Sequence, residues 1–203
     1  MVKVAVIDYG LGNLRSIFNA FKKLGAEPVI TNNHSLIKES DALILPGVGA
    51  FKDAITNIAG IEKLLTEEIL NGKPVLGICL GLQIMFTEST EGGVNKGMDI
   101  FKGKILRLPE NVKTPHIGWN TIKLIDPSNP LVEGLLDGSY FYFVHSYYAT
   151  GVNIEFLIAE TEYGVIFPSI IGLKNVFATQ FHPEKSGDNG LKIISNFIKY
   201  IKR

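Results

Sequence analysis

The sequence predicts an α/β fold: an open, mainly parallel (mixed) sheet with helices on both faces, a nucleophile elbow and added antiparallel strands. Up to about Gly92, short apolar runs alternate with helical patterns, which is typical of a parallel sheet. Beyond that point the pattern changes to strand-like runs separated by turns. The single cysteine lies between an apolar run and a helical pattern, with a glycine two residues away on each side.

Length and composition favour one well-packed domain. The chain has 203 residues, which suits a single domain over residues 1–203, and 46% of them are hydrophobic. Lys plus Arg and Asp plus Glu both number 20, so the charge favours neither a nucleic-acid partner nor a membrane surface. Charged residues interrupt the apolar runs near the start, so we expect a cytoplasmic protein without a leader or a membrane span.

The first predicted elements are a strand, a glycine turn and a helix. Residues 2–7 are mostly apolar, and Asp8–Gly12 contains two glycines. A helical face then follows with Leu14, Ile17, Phe18 and Phe21. The alternation continues with strands predicted at Pro28–Thr31, Ala42–Leu45 and Pro74–Ile78, and with helices predicted at Ala50–Ala59 and Ile61–Leu70.

The second half predicts an added antiparallel layer and a closing helix. The helix is expected at Gly190–Ile201, where apolar residues recur at helical spacing. Turn residues separate the strand-like runs, as in antiparallel sheets. These runs are Lys104–Leu108, Thr121–Ile125, Tyr140–Val144, Phe156–Glu160, Ile166–Ile170 and Val176–Gln180.

The strongest functional signal surrounds Cys79, which Gly77 and Gly81 flank as G-x-C-x-G after a predicted strand. Small residues on both sides let the chain turn sharply and present the side chain at the carboxyl edge of the sheet. A helix N-terminus at this point also favours the thiolate. A lone cysteine is more often a buried small hydrophobe, but the two glycines favour a nucleophile here. The helix is expected to continue through Gln83, Ile84 and Phe86.

A base and its acceptor occur together near the end of the chain. A thiolate nucleophile needs a base to move protons, and the base needs an orienting carboxylate. His182 and Glu184 follow a predicted strand and should therefore lie at its carboxyl end. Pro183 favours an extended backbone at His182, which would turn both side chains to one side. Alone, such a histidine is more often solvated, but with Cys79 it completes a triad.

Leu45–Phe51 is a glycine-rich turn between a predicted strand and a helix. Its backbone N–H groups, with that of Leu80, are candidates for an oxyanion hole, and an ordinary connecting loop is the alternative. Gly10 and Gly12 are not part of a dinucleotide fingerprint, because Arg15 stands where its third glycine would be. The four histidines lack metal-ligand spacing. We therefore expect no cofactor and no metal.

Together these motifs resemble the class I, or triad, glutamine amidotransferases along the whole chain. G-x-C-x-G-x-Q occurs at Gly77–Gln83 and H-P-E at His182–Glu184. Within that family, several segments are similar to those of glutaminase subunits that serve a cyclase in histidine biosynthesis. These segments are Asp8–Ser16, Pro46–Phe51, Pro115–Asn120 and Phe143–Tyr147.

The resemblance implies that L-glutamine is hydrolysed through a thioester on Cys79, with His182 transferring protons and Glu184 orienting it. It also implies roles for two further groups of residues. The oxyanion hole would involve Gly47, Val48, Gly49 and Leu80. The polar end of the substrate would be held by Gln83, Glu91, Ser146 and Tyr147.

The resemblance further implies a heterodimer with a (β/α)8-barrel cyclase, which uses the ammonia to make imidazole glycerol phosphate. Trp119 suits an interface anchor, and burial in the core is the alternative. Positions that match the family's cyclase-facing residues are Trp119, Asn120, Tyr142 and Lys185.

Three alternative functions stay open. A sibling ammonia donor for another synthase, such as one that aminates a surface sugar, would keep every motif. Gln83 and the late H-P-E disfavour a cysteine peptidase-like hydrolase, and the intact triad disfavours a non-catalytic regulatory subunit. The resemblance also implies an oxyanion turn that is misaligned until partner and acceptor bind, and glycine at 47 and 49 would let a peptide there flip at little cost.

Overall fold

A computed structural model describes residues 1–203 and contains a central eight-stranded sheet. In chain order, the strands are β1 (Lys3–Ile7), β2 (Glu27–Thr31), β3 (Ala42–Leu45), β4 (Val75–Ile78), β5 (Phe86–Ser89), β6 (Asn95–Lys96), β7 (Phe101–Arg107), β8 (His116–Thr121), β9 (Lys123–Leu124), β10 (Tyr140–His145), β11 (Tyr147–Thr150), β12 (Leu157–Glu162), β13 (Ile166–Leu173) and β14 (Val176–Thr179). The central sheet has the order β2-β1-β3-β4-β14-β13-β12-β9. Neighbours from β2 to β14 are parallel and the remaining strands are antiparallel, which confirms the predicted open, mixed sheet.

Helices cover both faces of this sheet. In chain order they are α1 (Leu14–Lys23), α2 (His34–Glu39), α3 (Phe51–Ile58), α4 (Glu62–Leu70), α5 (Leu80–Gln83) and α6 (Gly187–Ile201). Alternate residues of β1 enter different cores: Val4 and Val6 pack with α1 and α6, whereas Ala5 and Ile7 pack with α2, α3 and α4. Because both faces are covered, the parallel strands are continuous apolar runs. None of the helices has both the length and the apolar composition needed to cross a bilayer.

Two smaller sheets lie outside the central one. Strands β8 and β10 form an antiparallel pair, the β8–β10 ribbon, in which Trp119 is opposite Tyr142 and His116 is opposite His145. Alternate residues of β10 are buried, so the ribbon has an inner face and an outer face. Strands β11, β7, β5 and β6 form a four-stranded sheet in that order.

Most predicted elements occur close to their expected positions. Strands β2, β3 and β4 and helices α3 and α4 match the first half, and β7, β9, β10, β12, β13 and β14 match the runs of the second half. The closing helix α6 begins three residues early, at Gly187. Helix α1 buries Ala20 with Ile17 and Phe21, whereas the other two residues of the predicted face, Leu14 and Phe18, are only partly buried.

The prediction of a helix through Phe86 is wrong. Helix α5 ends at Gln83, and Phe86 begins β5, which pairs with β7. A short apolar run cannot be assigned to helix or strand by its periodicity alone. Sequence reasoning also missed α2, whose N-cap Asn33 accepts hydrogen bonds from the N–H groups of Ser35 and Leu36. The strands β5, β6, β8 and β11 were not predicted either.

Two close backbone approaches hold the turn after β4 against the turn after β3. A Cβ atom at Gly81 would overlap the carbonyl oxygen of Leu45, and one at Gly47 would overlap the Cβ of Leu80. We call these two approaches the glycine contact. Only glycine fits at both positions, because the groups opposite belong to backbone or to the root of a side chain.

We expect Gly81→Ala to lower the free energy of unfolding by about 3 kcal/mol or more, because the added methyl overlaps the backbone of β3. Urea denaturation measures this difference. Gly60→Ala is a matched control, since a Cβ there meets no atom within 4 Å, and it should change stability by less than about 1 kcal/mol. Equal, small effects of the two substitutions would show that the glycine contact is not tight.

Candidate active site

Cys79 occupies the sharp turn between β4 and α5. Its backbone has φ 54° and ψ −105°, which residues with a side chain rarely adopt. Such a conformation costs on the order of 1–3 kcal/mol and persists only when its surroundings enforce it. Here the N–H of Cys79 donates to the carbonyl of Thr179 in β14 at 2.7 Å, while the glycine contact packs beside it. The turn therefore has the geometry of a nucleophile elbow.

His182 and Glu184 lie just beyond β14, the strand next to β4. Nδ1 of His182 is 2.8 Å from Oε1 of Glu184, and the two side chains are 1% and 0% exposed. Because a carboxylate only accepts, Nδ1 donates this hydrogen bond, and Nε2 makes none within the chain. The imidazole is thus oriented by Glu184 and keeps Nε2 available for proton transfer.

The backbone around Glu184 differs from the expected extended strand. His182 itself is extended, with φ −99° and ψ 97°, as the following proline favours. Glu184, however, lies in a single turn of 3-10 helix at Pro183–Lys185. The expected contact between His182 and Glu184 is present, but the 3-10 turn produces it and not the alternation of side chains along a strand.

The backbone of His182 is also fixed to β10. Its N–H donates to the carbonyl of Tyr142 at 2.9 Å, and its carbonyl accepts from the hydroxyl of Ser186 at 2.6 Å. The same Ser186 oxygen accepts from the N–H of Tyr142 at 2.9 Å. His182 is therefore attached to the β8–β10 ribbon as well as to the central sheet.

Opposing effects act on the charge of His182. Burial favours the neutral ring and lowers its pKa, but interactions with Cys79 and Glu184 outweigh burial and raise the pKa above its ordinary value of 6.5. His182 is therefore protonated at neutral pH. A protonated imidazole beside the nucleophile has a proton to give to a leaving group.

A cavity of about 210 Å³ lies against Cys79 and Leu80. At ~30 Å³ per water molecule it has room for several waters, which suits a ligand the size of an amino acid. Gly47 does not line it, because the glycine contact presses that residue against Leu80. The other residues predicted for the oxyanion hole and for substrate binding do line it: Val48, Gly49, Leu80, Gln83, Glu91, Ser146 and Tyr147.

Two side chains of the cavity are oriented as hydrogen-bond acceptors. Nε2 of Gln83 donates to the carbonyl of Tyr147 at 2.9 Å and to Oε1 of Gln180 at 3.3 Å, which uses both of its hydrogens. The Oε1 atom of Gln83 is left to accept from a ligand. Glu91 accepts from the N–H of Phe51 through Oε2 at 2.9 Å, which leaves Oε1. A neutral and a charged acceptor together suit an ammonium group.

Three of the four residues expected at a partner interface lie on the β8–β10 ribbon, with Trp119 and Tyr142 on its outer face and Asn120 on its inner face. Trp119 is 56% exposed, so the alternative that it is a core residue is wrong. Its ring lies 6.1 Å from that of Tyr142, its partner across the β8–β10 ribbon. Asn120 is held by a bond from its Nδ2 to the carbonyl of Glu162 at 3.0 Å. Lys185 is exposed, one residue after Glu184.

Three residues near the nucleophile were not singled out from the sequence. Nε2 of Gln180 lies 3.7 Å from Sγ of Cys79, and Gln180 is fully buried. His145 lines the cavity. The hydroxyl of Tyr9 is buried without a partner, and burial, with the charge of Cys79, raises its pKa. Gln180 was detectable as the residue two before His182. Tyr9 and His145 lie in the segments Asp8–Ser16 and Phe143–Tyr147, but the sequence analysis gave neither of them a role.

Comparison with known proteins agrees with this geometry. The family of class-I glutamine amidotransferases matches residues 5–200. Among solved structures, a GMP synthase subunit of Thermoplasma acidophilum has a TM-score of 0.75 at 20% identity, covering 100% of this chain and 94% of that chain. PurLQS of Thermotoga maritima has a TM-score of 0.75 at 18% identity, covering 98% of each chain. These structures show the common fold, and the chain belongs to the class-I glutamine amidotransferases.

Curated relatives specify the group within that family. The imidazole glycerol phosphate synthase subunit HisH of Methanothermobacter thermautotrophicus is 48% identical over 98% of this chain and 99% of its own length. HisH of Caldanaerobacter subterraneus is 49% identical over 98% of both chains. Within the amidotransferases the chain therefore groups with the HisH subunits, which confirms the resemblance found in its motifs.

We expect the stability of the protein to be greatest near pH ~6.5, because buried histidines shift in opposite directions. Burial lowers the pKa of His145 to about 3 and that of His116 to about 4. As pH falls below 6.5, the unfolded chain takes up protons at both positions before the folded chain does, so stability decreases. The raised pKa of His182 contributes stability below 6.5 that is lost as pH rises towards its folded pKa.

Urea denaturation at a series of pH values measures this profile. His182→Asn should flatten the alkaline side, and a His116→Asn, His145→Asn double variant should flatten the acid side. A wild-type stability that still rises as pH falls well below 6 would contradict the assignment of His116 and His145 as neutral groups.

Proposed function

We propose that this chain is the glutaminase subunit that hydrolyses L-glutamine through a cysteinyl thioester and delivers ammonia to a cyclase making imidazole glycerol phosphate in histidine biosynthesis. The observation that carries the proposal is the buried pair of His182 and Glu184 beside Cys79, next to a cavity of amino-acid size. The full-length similarity to HisH subunits supports the pathway. Residues 1–203 act as one amidotransferase domain.

The chemistry follows from the position of the three side chains. The thiolate of Cys79 attacks the side-chain amide carbon of glutamine, and the carbonyl electrons move to oxygen to give a tetrahedral intermediate. When the carbon–nitrogen bond breaks, the imidazolium of His182 gives its proton to the leaving nitrogen, and ammonia departs. His182 then takes a proton from water, whose oxygen attacks the thioester and releases glutamate. Glu184 keeps Nε2 directed to these transfers.

The oxyanion hole is assigned to Leu80 and the turn of Gly47, Val48 and Gly49. The N–H of Leu80 begins α5 and makes no hydrogen bond within the chain, so it is free to donate to the intermediate. Gly49 has φ +125°, a conformation that glycine adopts without strain. Gly47 contributes through the glycine contact, which places this turn beside Leu80. A peptide flip in this turn on partner binding completes the hole.

The polar end of glutamine is assigned to the acceptors of the cavity. Gln83 Oε1 and the Glu91 carboxylate suit the α-ammonium group. Ser146 and Tyr147 form another part of the wall and suit the α-carboxylate, with the Ser146 hydroxyl as donor. Binding both charges places the side-chain amide at Cys79.

The partner is assigned to the outer face of the β8–β10 ribbon. Trp119 and Tyr142 form an exposed aromatic pair there, and the exposed Lys185 adds a positive charge nearby. Asn120 points to the inner face of the ribbon, towards His116, and supports this surface from behind. Aromatic residues with polar neighbours are typical of interface centres. Because the backbone of Tyr142 is bonded to His182, the partner binds close to the site where ammonia is released. A (β/α)8-barrel cyclase in a heterodimer fits this position.

We expect the purified chain to release glutamate from glutamine, strongly stimulated by the histidine-pathway cyclase and its nucleotide ligand. Cys79→Ala should lower the rate at least about 10³-fold, because the nucleophile is lost. Circular dichroism of the variant checks that it is folded. Stimulation by a different synthase and not by this cyclase would assign the chain to a sibling pathway, and activity in Cys79→Ala would exclude the thioester mechanism.

We expect Trp119→Ala to weaken association with the cyclase about 30-fold, because it removes an exposed aromatic anchor. Titration calorimetry of the two purified subunits measures the dissociation constant. Leu70→Ala is the matched control, since Leu70 is 80% exposed on α4, and its dissociation constant should equal that of the wild type. Equal dissociation constants for the Trp119 variant and the control would show that the cyclase binds to another face of the protein.

A further inference from the structure

A chain of hydrogen bonds runs through the buried pair His116 and His145. Nδ1 of His145 lies 2.9 Å from the carbonyl of Tyr147, and its Nε2 lies 2.9 Å from Nδ1 of His116. A carbonyl only accepts, so His145 carries its proton on Nδ1 and accepts at Nε2. His116 therefore donates from Nδ1, and its Nε2 faces Nδ2 of Asn120 at 3.4 Å. The tautomer of each ring follows from its neighbour.

The same carbonyl connects this chain to the substrate cavity. Tyr147 also accepts from Nε2 of Gln83 at 2.9 Å. Gln83 in turn donates to Oε1 of Gln180 at 3.3 Å, and Nε2 of Gln180 lies 3.7 Å from Sγ of Cys79. The orientation of the Gln83 amide, with its oxygen left for the ligand, thus depends on where the Tyr147 carbonyl points.

Packing holds the histidine pair in one arrangement. The ring of His116 is stacked between Tyr163, at a centroid distance of 3.9 Å, and Phe143, at 5.0 Å. The two histidines are directly opposite each other across the ribbon and are 4% and 5% exposed. Burial lowers the pKa of both, so each ring is neutral at pH ~7 and keeps the acceptor nitrogen that the chain requires.

We propose that His116 and His145 are positioning residues of the glutaminase reaction, which hold the Tyr147 carbonyl and thereby aim the Gln83 amide oxygen at the bound glutamine. This inference rests on the proposed function. Neither ring moves a proton in the reaction, because each is neutral and its ring N–H is engaged within the chain. Loss of the bond to Tyr147 lets the Gln83 amide rotate and present its NH₂ group to the substrate ammonium.

Two amide substitutions at position 145 separate this role from simple packing. The amide nitrogen of asparagine takes the place of histidine Nδ1, so His145→Asn keeps the donor to the Tyr147 carbonyl and loses the contact with His116. The amide of glutamine takes the place of Nε2, so His145→Gln keeps the contact with His116 and loses the donor to Tyr147. Each variant removes one buried hydrogen bond, so their stabilities should fall by similar amounts.

The test is steady-state glutamate release by each variant in complex with the cyclase, normalised to the fraction of Cys79 that a chloroketone analogue of glutamine alkylates. We expect His145→Gln to raise the KM for glutamine about tenfold with kcat within about threefold, and His145→Asn to keep KM within about threefold of the wild type. At position 116, His116→Gln loses the donor to His145 and should raise KM more than His116→Asn. The two variants at position 116 provide the same test if a variant at position 145 does not fold.

The outcomes distinguish the inference from the function on which it rests. Equal KM values for the asparagine and glutamine variants at both positions, in an active enzyme, would overturn the positioning role and leave the glutaminase assignment intact. A wild-type complex that releases no glutamate would overturn the proposed function, and the inference with it.

Discussion

The contact between two glycine turns is the constraint on which the site depends. Gly81 lies against the Leu45 carbonyl and Gly47 against Leu80. Separating the turns that follow β3 and β4 would therefore break close van der Waals contacts between their backbones. This packing holds Cys79 at φ 54° and places Leu80 in the wall of the cavity. The strain at the nucleophile is offset by the buried apolar strands on both sides of it.

The order of the strands in the central sheet brings His182 and Glu184 close to Cys79. Strand β14 lies beside β4 in parallel register, with Thr179 opposite Ile78, so the residues that follow these strands meet at one edge of the sheet. That arrangement brings His182 to Cys79 across about a hundred residues of sequence. Nε2 of His182 and Oε2 of Glu184 are buried and make no hydrogen bond within the chain. Buried polar atoms without partners lower the stability of the folded protein, so their presence indicates a functional role for this pair.

Local motifs predicted the fold class and the candidate triad, because G-x-C-x-G and H-P-E each describe a backbone geometry within a few residues. The strand order of the sheet and the pairing of His116 with His145 depend on which strands become neighbours, and no local pattern contains that information. Phe86 was placed in a helix since a short apolar run fits both periods. Helix α2 was missed although its N-cap, Asn33, is visible in the sequence. The exposure of Trp119 could not be predicted from the sequence, because it depends on which face of the β8–β10 ribbon is buried.

The β8–β10 ribbon forms a sheet of its own and shares no ladder with the strands that carry Cys79. Its inner face bears His145 and Phe143, whereas its outer face bears Trp119 and Tyr142. Substitutions on the outer face leave the register of the catalytic strands untouched. The side chains of this surface can therefore change while the strands that lead to Cys79 and His182 keep their register, so the ribbon surface and the ammonia-producing chemistry are structurally separable.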